Sequence, residues 1–193
     1  MITRLVNLAI HGALIMLAIG CTSTPPSRFY TLRAASDPAV PSSSLSIAVG
    51  PVTVPAVVDR PQIVVNAGAN QVRVDDFNRW AAPLQNNIAR VVADNLVAML
   101  GTPRVTLSNI DADYRAAIEV QSFESSLGEA AMLDAVWFVR RSKDGKTETG
   151  RTAVRESVQE KSYDALAAAH SRAVARLSRD LAAAVATLAR SGQ

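Results

Sequence analysis

The chain has 193 residues, of which 49% are hydrophobic and 19% are charged. This is enough apolar material for one folded domain of ordinary size, and it excludes a disordered or fibrous chain. Twenty basic and seventeen acidic side chains leave a net charge of only +3. Because this surplus gives no electrostatic footprint for nucleic acid, no nucleic-acid partner is expected.

Cysteine and histidine, which carry most metal-site and nucleophile chemistry, are scarce in this chain. There are one cysteine, Cys21, and two histidines, of which only His170 lies beyond the N-terminal segment. The sequence therefore predicts no catalytic residue, no metal site and no bound cofactor. Since His170 falls on the apolar side of a predicted helix, we interpret it as a core histidine.

The first 20 residues have the pattern of a bacterial lipoprotein signal peptide. Arg4 supplies a positive charge, Leu5–Ile19 is mostly apolar, and a short run of small or apolar residues ends directly before Cys21. Small side chains let a peptidase approach, and the thiol can carry a diacylglyceryl group. The predicted organisation is a signal peptide at residues 1–20, a lipidated tether at residues 21–28 and a single domain at residues 29–193.

An uncleaved membrane helix is the alternative for the N-terminus. Such a helix needs about 20 apolar residues, whereas Leu5–Ile19 is shorter and contains Asn7 and His11. If Cys21 is lipidated, its acyl chains hold the protein on a bilayer, and the tether spans at most about 25 Å. By similarity to bacterial lipoproteins, the absence of aspartate at Thr22 implies the outer membrane.

Alternating apolar residues predict several short strands in the first half of the chain. These strands are Phe29–Ala34, Leu45–Val49 with a continuation through Val52 and Val54, Gln62–Val65 and Gln71–Val74. Gly50 and Pro51 indicate that the second strand is bulged or lies at an edge. A helix is predicted to begin at Pro83, and its apolar stripe ends before Gly101.

The second half predicts an antiparallel meander followed by a long helix. The strands are Tyr114–Gln121, Ala131–Val139 and Thr147–Val158, with turns at Leu127–Gly128 and Asp144–Gly145. Ser162 is suited to cap an amphipathic helix over Tyr163–Arg190. Together these elements predict an α+β domain, with a mainly antiparallel sheet and two helices packed on one face.

Three motifs occur in a characteristic order along the predicted domain. Phe29–Leu32 follows the cysteine, Gly50–Pro55 leads into Asp59–Gln62, and Phe77–Leu84 precedes the first helix. In this order they resemble the PqiC/YmbA family of ABC-type transport auxiliary lipoproteins, and the resemblance covers nearly the whole domain.

The resemblance implies a function but no chemistry. It implies a periplasm-facing lipoprotein on the outer membrane that acts with an MCE-domain protein of an envelope lipid transporter. Members of this family are also similar to ring-forming homo-oligomers. The resemblance brings no catalytic residue, metal or cofactor, apart from the covalent lipid on Cys21. Since the chain has no glycine-rich phosphate loop with a lysine, it is expected to be an accessory of the transporter and not its motor.

Four residues are candidate partner contacts: Asp59, Arg60, Arg79 and Trp80. They lie where predicted strands give way to a loop or a helix, and arginine and tryptophan often anchor interfaces. Two alternatives stay open. Trp80 could close the core beside Pro83, and Asp59 could pair with Arg60 or Arg79 to fix a loop.

Two other functions are weighed against the accessory role. A lipid or amphiphile carrier would hold its ligand in an apolar cavity beneath the alanine-rich Tyr163–Arg190 helix. An envelope hydrolase would need paired carboxylates such as Asp75 and Asp76, or Glu119 and Glu124. Adjacent residues of a strand point to opposite faces, which argues against the first of these pairs.

Overall fold

The computed structural model describes residues 25–35, 42–108 and 111–191, so Cys21 and the predicted signal peptide lie outside the described residues. Each of the two helices follows a run of four strands. In chain order the elements are β1 (Arg28–Tyr30), β2 (Ile47–Thr53), β3 (Gln62–Gly68), β4 (Gln71–Trp80), α1 (Leu84–Leu100), β5 (Val105–Thr106), β6 (Tyr114–Ser126), β7 (Ala130–Arg141), β8 (Thr147–Ser157) and α2 (Tyr163–Arg190).

The strands form two sheets, and the predicted α+β class is confirmed. The small sheet has the order β1-β4-β3, and the large sheet has the order β5-β2-β6-β7-β8. Both sheets are mixed, because β1 runs parallel to β4, and β2 runs parallel to both β5 and β6. This differs from the mainly antiparallel sheet that was predicted. Parallel neighbours need a long crossover, and β3, β4 and α1 supply it between β2 and β5.

The long helix and the order of the meander strands agree with the prediction, although β6 continues to Ser126, five residues beyond the predicted end at Gln121. β6, β7 and β8 pair antiparallel in chain order. Both turns have a glycine with positive φ, +75° at Gly128 and +73° at Gly145, a conformation that favours glycine. The Ser162 hydroxyl accepts the backbone N–H of Ala165 at 3.1 Å and so caps α2.

The first strand is shorter than predicted because the backbone N–H groups that follow it donate hydrogen bonds to helix side chains and not to a neighbouring strand. β1 ends at Tyr30, and the Arg33 N–H then donates to the Ser171 hydroxyl at 3.1 Å. The Ala35 N–H donates to the side-chain oxygen of Asn95, again at 3.1 Å. The chain therefore leaves the small sheet and runs along α1 and α2.

The predicted bulge in the second strand is confirmed, and the edge position holds for half of it. The pairing of β2 with β6 shifts between Val49 and Val52, on either side of the cis peptide bond before Pro51. On its other side β2 pairs with β5 only through Ile47 and Ala48. Within the described ranges, the half that contains Pro51 therefore has one neighbouring strand, as a proline requires.

One buried core lies between the helices and the large sheet and continues beneath the small sheet. Leu166, Leu177 and Leu181 of α2 have no exposed surface. At the far end of α2, the buried Arg141 guanidinium forms a bidentate pair with Asp144 and donates to the Leu188 carbonyl. Together with the Ser191 hydroxyl, which donates to the same oxygen at 3.0 Å, this satisfies a carbonyl of the last helical turn. Neither of the described helices is both long and apolar enough to cross a bilayer.

Candidate docking surface

The small sheet has one face in the core and one face toward solvent. Ile63 and Val65 of β3 and Trp80 of β4 are at most 5% exposed. The alternation of side chains along a strand places the residues between them on the opposite side, where Val64 is also buried at 8% exposed, so this side is open to solvent over only part of its area. We call that side the outer face of the small sheet.

Four large apolar side chains are exposed on the small sheet. Phe29 is 65% exposed, Val72 48%, and Val74 and Phe77 37% each. Phe29 lies beside Arg79 in the β1–β4 pairing, and Arg79 lies beside Gln62 of β3. Two and four residues further along β3, Val64 and Asn66 pair with Val74 and Val72. The register therefore places Phe29, Val72 and Val74 on the outer face, together with Arg79.

The candidate contact residues meet at one corner of this sheet. Arg79 is half-buried, and its Nε donates to the Asp76 carbonyl at 2.9 Å. The loop that carries Asp59 and Arg60 ends at Pro61, whose carbonyl accepts the Trp80 N–H at 2.7 Å. Both Asp59 and Arg60 are exposed. None of the ion pairs found among residues 25–35, 42–108 and 111–191 includes Asp59, so the loop-fixing pair left open for this residue is not observed.

Trp80 lies in the core, as in the alternative that the sequence left open. Its side chain is 5% exposed. The indole contacts the rings of Phe123 and His170 edge-on, with centroid distances of 6.1 and 6.3 Å. The partner contact predicted for Trp80 would require this ring to leave the core, whereas Arg79 beside it faces outward.

A network around Asp75 joins the small sheet to the start of α2. One Asp75 oxygen accepts the Tyr163 hydroxyl at 2.6 Å, and the other accepts the backbone N–H groups of Phe77 and Asn78 and the Asn78 amide. The Tyr30 hydroxyl in turn donates to Asn78 at 2.9 Å. The motif residues Tyr30 and Asn78 are therefore linked, and they hold β1 and β4 beside α2.

The electrostatics of Asp75 follow from these contacts. Burial by itself would raise the pKa of Asp75, but the hydrogen bonds from Tyr163, Asn78 and the backbone outweigh it and lower the pKa to about 2. Burial and the hydrogen bond to Asp75 raise the pKa of Tyr163. The carboxylate therefore stays charged and the phenol stays protonated at neutral pH.

Replacing Tyr163 with phenylalanine is expected to lower the free energy of unfolding by roughly 2 kcal/mol, because a charged acceptor loses its donor. Tyr30→Phe, which removes a donor to the neutral Asn78 amide, is the matched control and is expected to cost about 1 kcal/mol. Urea unfolding monitored by circular dichroism measures both values. Equal effects of the two substitutions would contradict the central role of Asp75.

The other carboxylates named for a hydrolase have ordinary surface contacts. Glu119 accepts from the Gln121 amide, and Glu124 accepts from the Ser122 hydroxyl, both on the exposed side of β6. Asp76 is exposed, whereas Asp75 belongs to the network above. No group of three or more potential metal ligands occurs within the described part of the chain.

The sequence did not predict that apolar residues of the small sheet are exposed. Val72 and Val74 alternate with Gln71 and Arg73, and this pattern predicted a strand with one apolar side. With charged Arg73 on the other side, this alternation by itself favours burial of the valine side, yet both valines are exposed. Two consecutive amphipathic strands with polar turns would have been the signal for a half-exposed sheet.

The fold and the exposed residues of the small sheet indicate an interaction domain. An α+β domain that exposes several large apolar side chains on one sheet face, next to basic groups, is typical of an interaction domain. The model of the family described as ABC-type transport auxiliary lipoprotein component matches residues 30–182. The chain therefore belongs to this family, and the resemblance to PqiC/YmbA proteins is confirmed.

Solved structures agree on the fold. The crystal structure of an uncharacterized protein superposes with a TM-score of 0.71 at 18% identity, covering 83% of this chain and 99% of the other. Protein XCC0632 from Xanthomonas campestris, of the family DUF330, superposes with a TM-score of 0.63 at 23% identity, covering 86% and 99%. At these identities the likeness establishes the fold alone. The search of curated proteins gave no match.

Proposed function

We propose that this protein is an outer-membrane lipoprotein accessory of an MCE-type lipid transport system. In this role it is anchored through Cys21, faces the periplasm and docks the transport assembly at the membrane. The observation that carries the proposal is the family match over residues 30–182, directly downstream of a cysteine in a lipoprotein signal context. A homo-oligomeric ring, as the resemblance implies, would repeat the docking surface around an axis.

The exposed loop before β3 is the proposed contact with the MCE protein. The Pro55 carbonyl accepts the N–H groups of Val58 and Asp59, and Val58 is only 6% exposed, so its side chain fastens the loop to the core. The loop therefore holds the charged residues Asp59 and Arg60 in a fixed position on the surface. A preformed loop loses little entropy on binding, which favours a docking role.

The carrier alternative needs an apolar cavity beneath α2, and the contacts of the helix do not favour one. The leucine and valine side chains that α2 turns toward the sheet are at most 2% exposed and belong to the single core cluster. A cleft of about 720 Å³ lies instead at the opposite end of the domain from β1. It is lined by polar groups that include Ser44, Arg104 and Asp113. A cleft of this composition suits a polar contact better than an acyl chain.

Co-purification tests the proposal. A tagged, lipidated protein is expected to recover an MCE-domain protein from envelope extracts in mild detergent. Arg60→Glu is expected to remove most of that recovery, because it reverses the charge of the proposed contact while the circular dichroism spectrum stays native. Arg176→Glu, at an exposed arginine of α2, is the matched control. Repeated failure of the unmodified protein to recover an MCE protein would overturn the proposal.

A further inference from the structure

The proposed anchor fixes which end of the domain lies next to the membrane. Cys21 and Arg28 are seven residues apart, a distance of at most about 25 Å in extended chain. β1 begins at Arg28, and the ring of Tyr30 lies 5.9 Å from that of Tyr163, the first residue of α2. Because α2 has 28 residues, or about 42 Å, only the end of the domain near β1 lies within the reach of the tether.

That end carries the most exposed aromatic side chain among the large apolar residues found at the described surface. Phe29 is the second residue of β1 and is 65% exposed. Phe77 of β4 is 37% exposed and lies two residues before Arg79, the neighbour of Phe29 in the strand pairing. Transfer of such exposed aromatic rings from water into the headgroup region of a bilayer is favourable in free energy.

The charges around the two rings suit a phospholipid surface. Arg79 pairs with Phe29 and lies on the same side of the sheet, and Arg28 precedes Phe29 in β1, whereas Arg73 pairs with the buried Val65 and lies 3.8 Å from the Asp75 carboxylate. Asp75 is held by Tyr163 and the backbone, so Asp76 is the exposed acid of this stretch of β4. The guanidinium groups of Arg28 and Arg79 are attracted to lipid phosphates. A second copy related by two-fold symmetry would bring the same arginines together, which costs free energy.

We propose that the β1 end of the small sheet, through Phe29, Phe77 and Arg28, rests on the phospholipid headgroups of the membrane in which Cys21 is anchored. This inference rests on the proposed lipid anchor and adds an orientation to it. The contact sets which side of the domain faces the bilayer. The cleft at the opposite end of α2 then points away from the membrane.

A fluorescent probe at position 29 tests the contact. Because Cys21 is the only native cysteine and its thiol is consumed by the lipid, Phe29→Cys provides a single reactive thiol for an environment-sensitive NBD label. The control is Phe138→Cys on β7, where the phenylalanine is also exposed, at 44%. Position 138 lies eight residues, or about 25 Å, along β7 from Ala130, at the far side of the domain from the tether.

Full-length lipidated protein is reconstituted in vesicles of phosphatidylethanolamine and phosphatidylglycerol, and flotation shows that it is anchored. The label at position 29 is expected to shift to shorter wavelength, to brighten severalfold and to be quenched by headgroup nitroxide lipids, while the label at 138 stays aqueous. Floating protein with an aqueous or unquenched label at 29 would overturn the membrane contact alone, and an apolar but unquenched label would indicate a second copy. Protein that does not float would overturn the anchor itself.

Discussion

Gly150→Ala is expected to lower the free energy of unfolding by about 3 kcal/mol, because the indole of Trp137 occupies the space that a Cβ would need. Gly150 pairs with Trp137 across β7 and β8. An added Cβ would lie 2.6 Å from Cη2 and 2.9 Å from Cε2 of this ring. The ring is held in place, since its Nε1 donates to Thr152 at 3.0 Å and Thr152 donates to Asp180 of α2 at 2.6 Å.

Gly68→Ala is the control for this substitution. Its Cβ would meet Gln71 at 3.7 Å, an ordinary van der Waals contact, so the stability is expected to change by less than about 0.5 kcal/mol. Chemical denaturation of both variants gives the comparison. Combining Gly150→Ala with Trp137→Leu in a double-mutant cycle is expected to restore part of the loss. Equal stability of the two glycine variants would contradict the close approach of Trp137.

We expect His170 to lower the free energy of unfolding as soon as the pH falls below about 6.5. The side chain has no exposed surface, and burial lowers its pKa from 6.5 to about 3. The folded protein therefore keeps a neutral ring where the unfolded chain binds a proton. Stability is complete above pH 6.5 and falls as the pH drops toward 3, by about 2 kcal/mol between pH 7 and pH 5.

The surroundings of His170 explain why it cannot be protonated in place. Its ring stacks on Phe123 at 3.8 Å, and its Nε2 is joined to the Ser125 hydroxyl at 2.8 Å. Within the described part of the chain, Nδ1 has no hydrogen-bond partner. A cationic ring would bury a charge beside two aromatic rings and a hydroxyl, which strongly favours the neutral form.

His170→Phe is the variant that isolates this effect. It keeps a ring on Phe123 while it removes the titrating group, so its stability is expected to stay nearly constant between pH 7 and pH 5. The Asp75 carboxylate, with its lowered pKa of about 2, weakens the fold only below about pH 4 and does not disturb the measurement. Equal slopes of stability against pH in the two proteins would contradict a neutral, buried His170.

The long helix and the meander could be predicted because their signals are local. Ser162 caps a run whose apolar residues recur at helical spacing, and Asp144–Gly145 occupies the turn between two alternating strands. The family motifs could also be recognised in the sequence, but the contacts between them could not be predicted from it. Tyr30 and Asn78 are 48 residues apart, and only the folded chain shows that they meet over Asp75.

The candidate surface shows where local patterns stop being informative. Period-two alternation in β4 gives two faces, and neighbouring elements decide which face is covered. Trp80 was a candidate contact on residue type, yet it packs edge-on against the stacked rings of Phe123 and His170, which come from distant parts of the chain. Phe29 began a predicted strand and a family motif in the sequence, but its exposure follows only from the fold, in which it points to the outer face from β1, an edge strand of the small sheet.

The amino-acid sequence by itself determined the α+β class, the long helix, the order of the meander strands and the family, because each depends on the order and spacing of nearby residues. Only the tertiary structure decided the division into two mixed sheets, the burial of Trp80 and His170 and the exposure of the outer face. Those properties depend on which distant segments exclude water from a side chain, and burial of this kind is a property of the assembled layers.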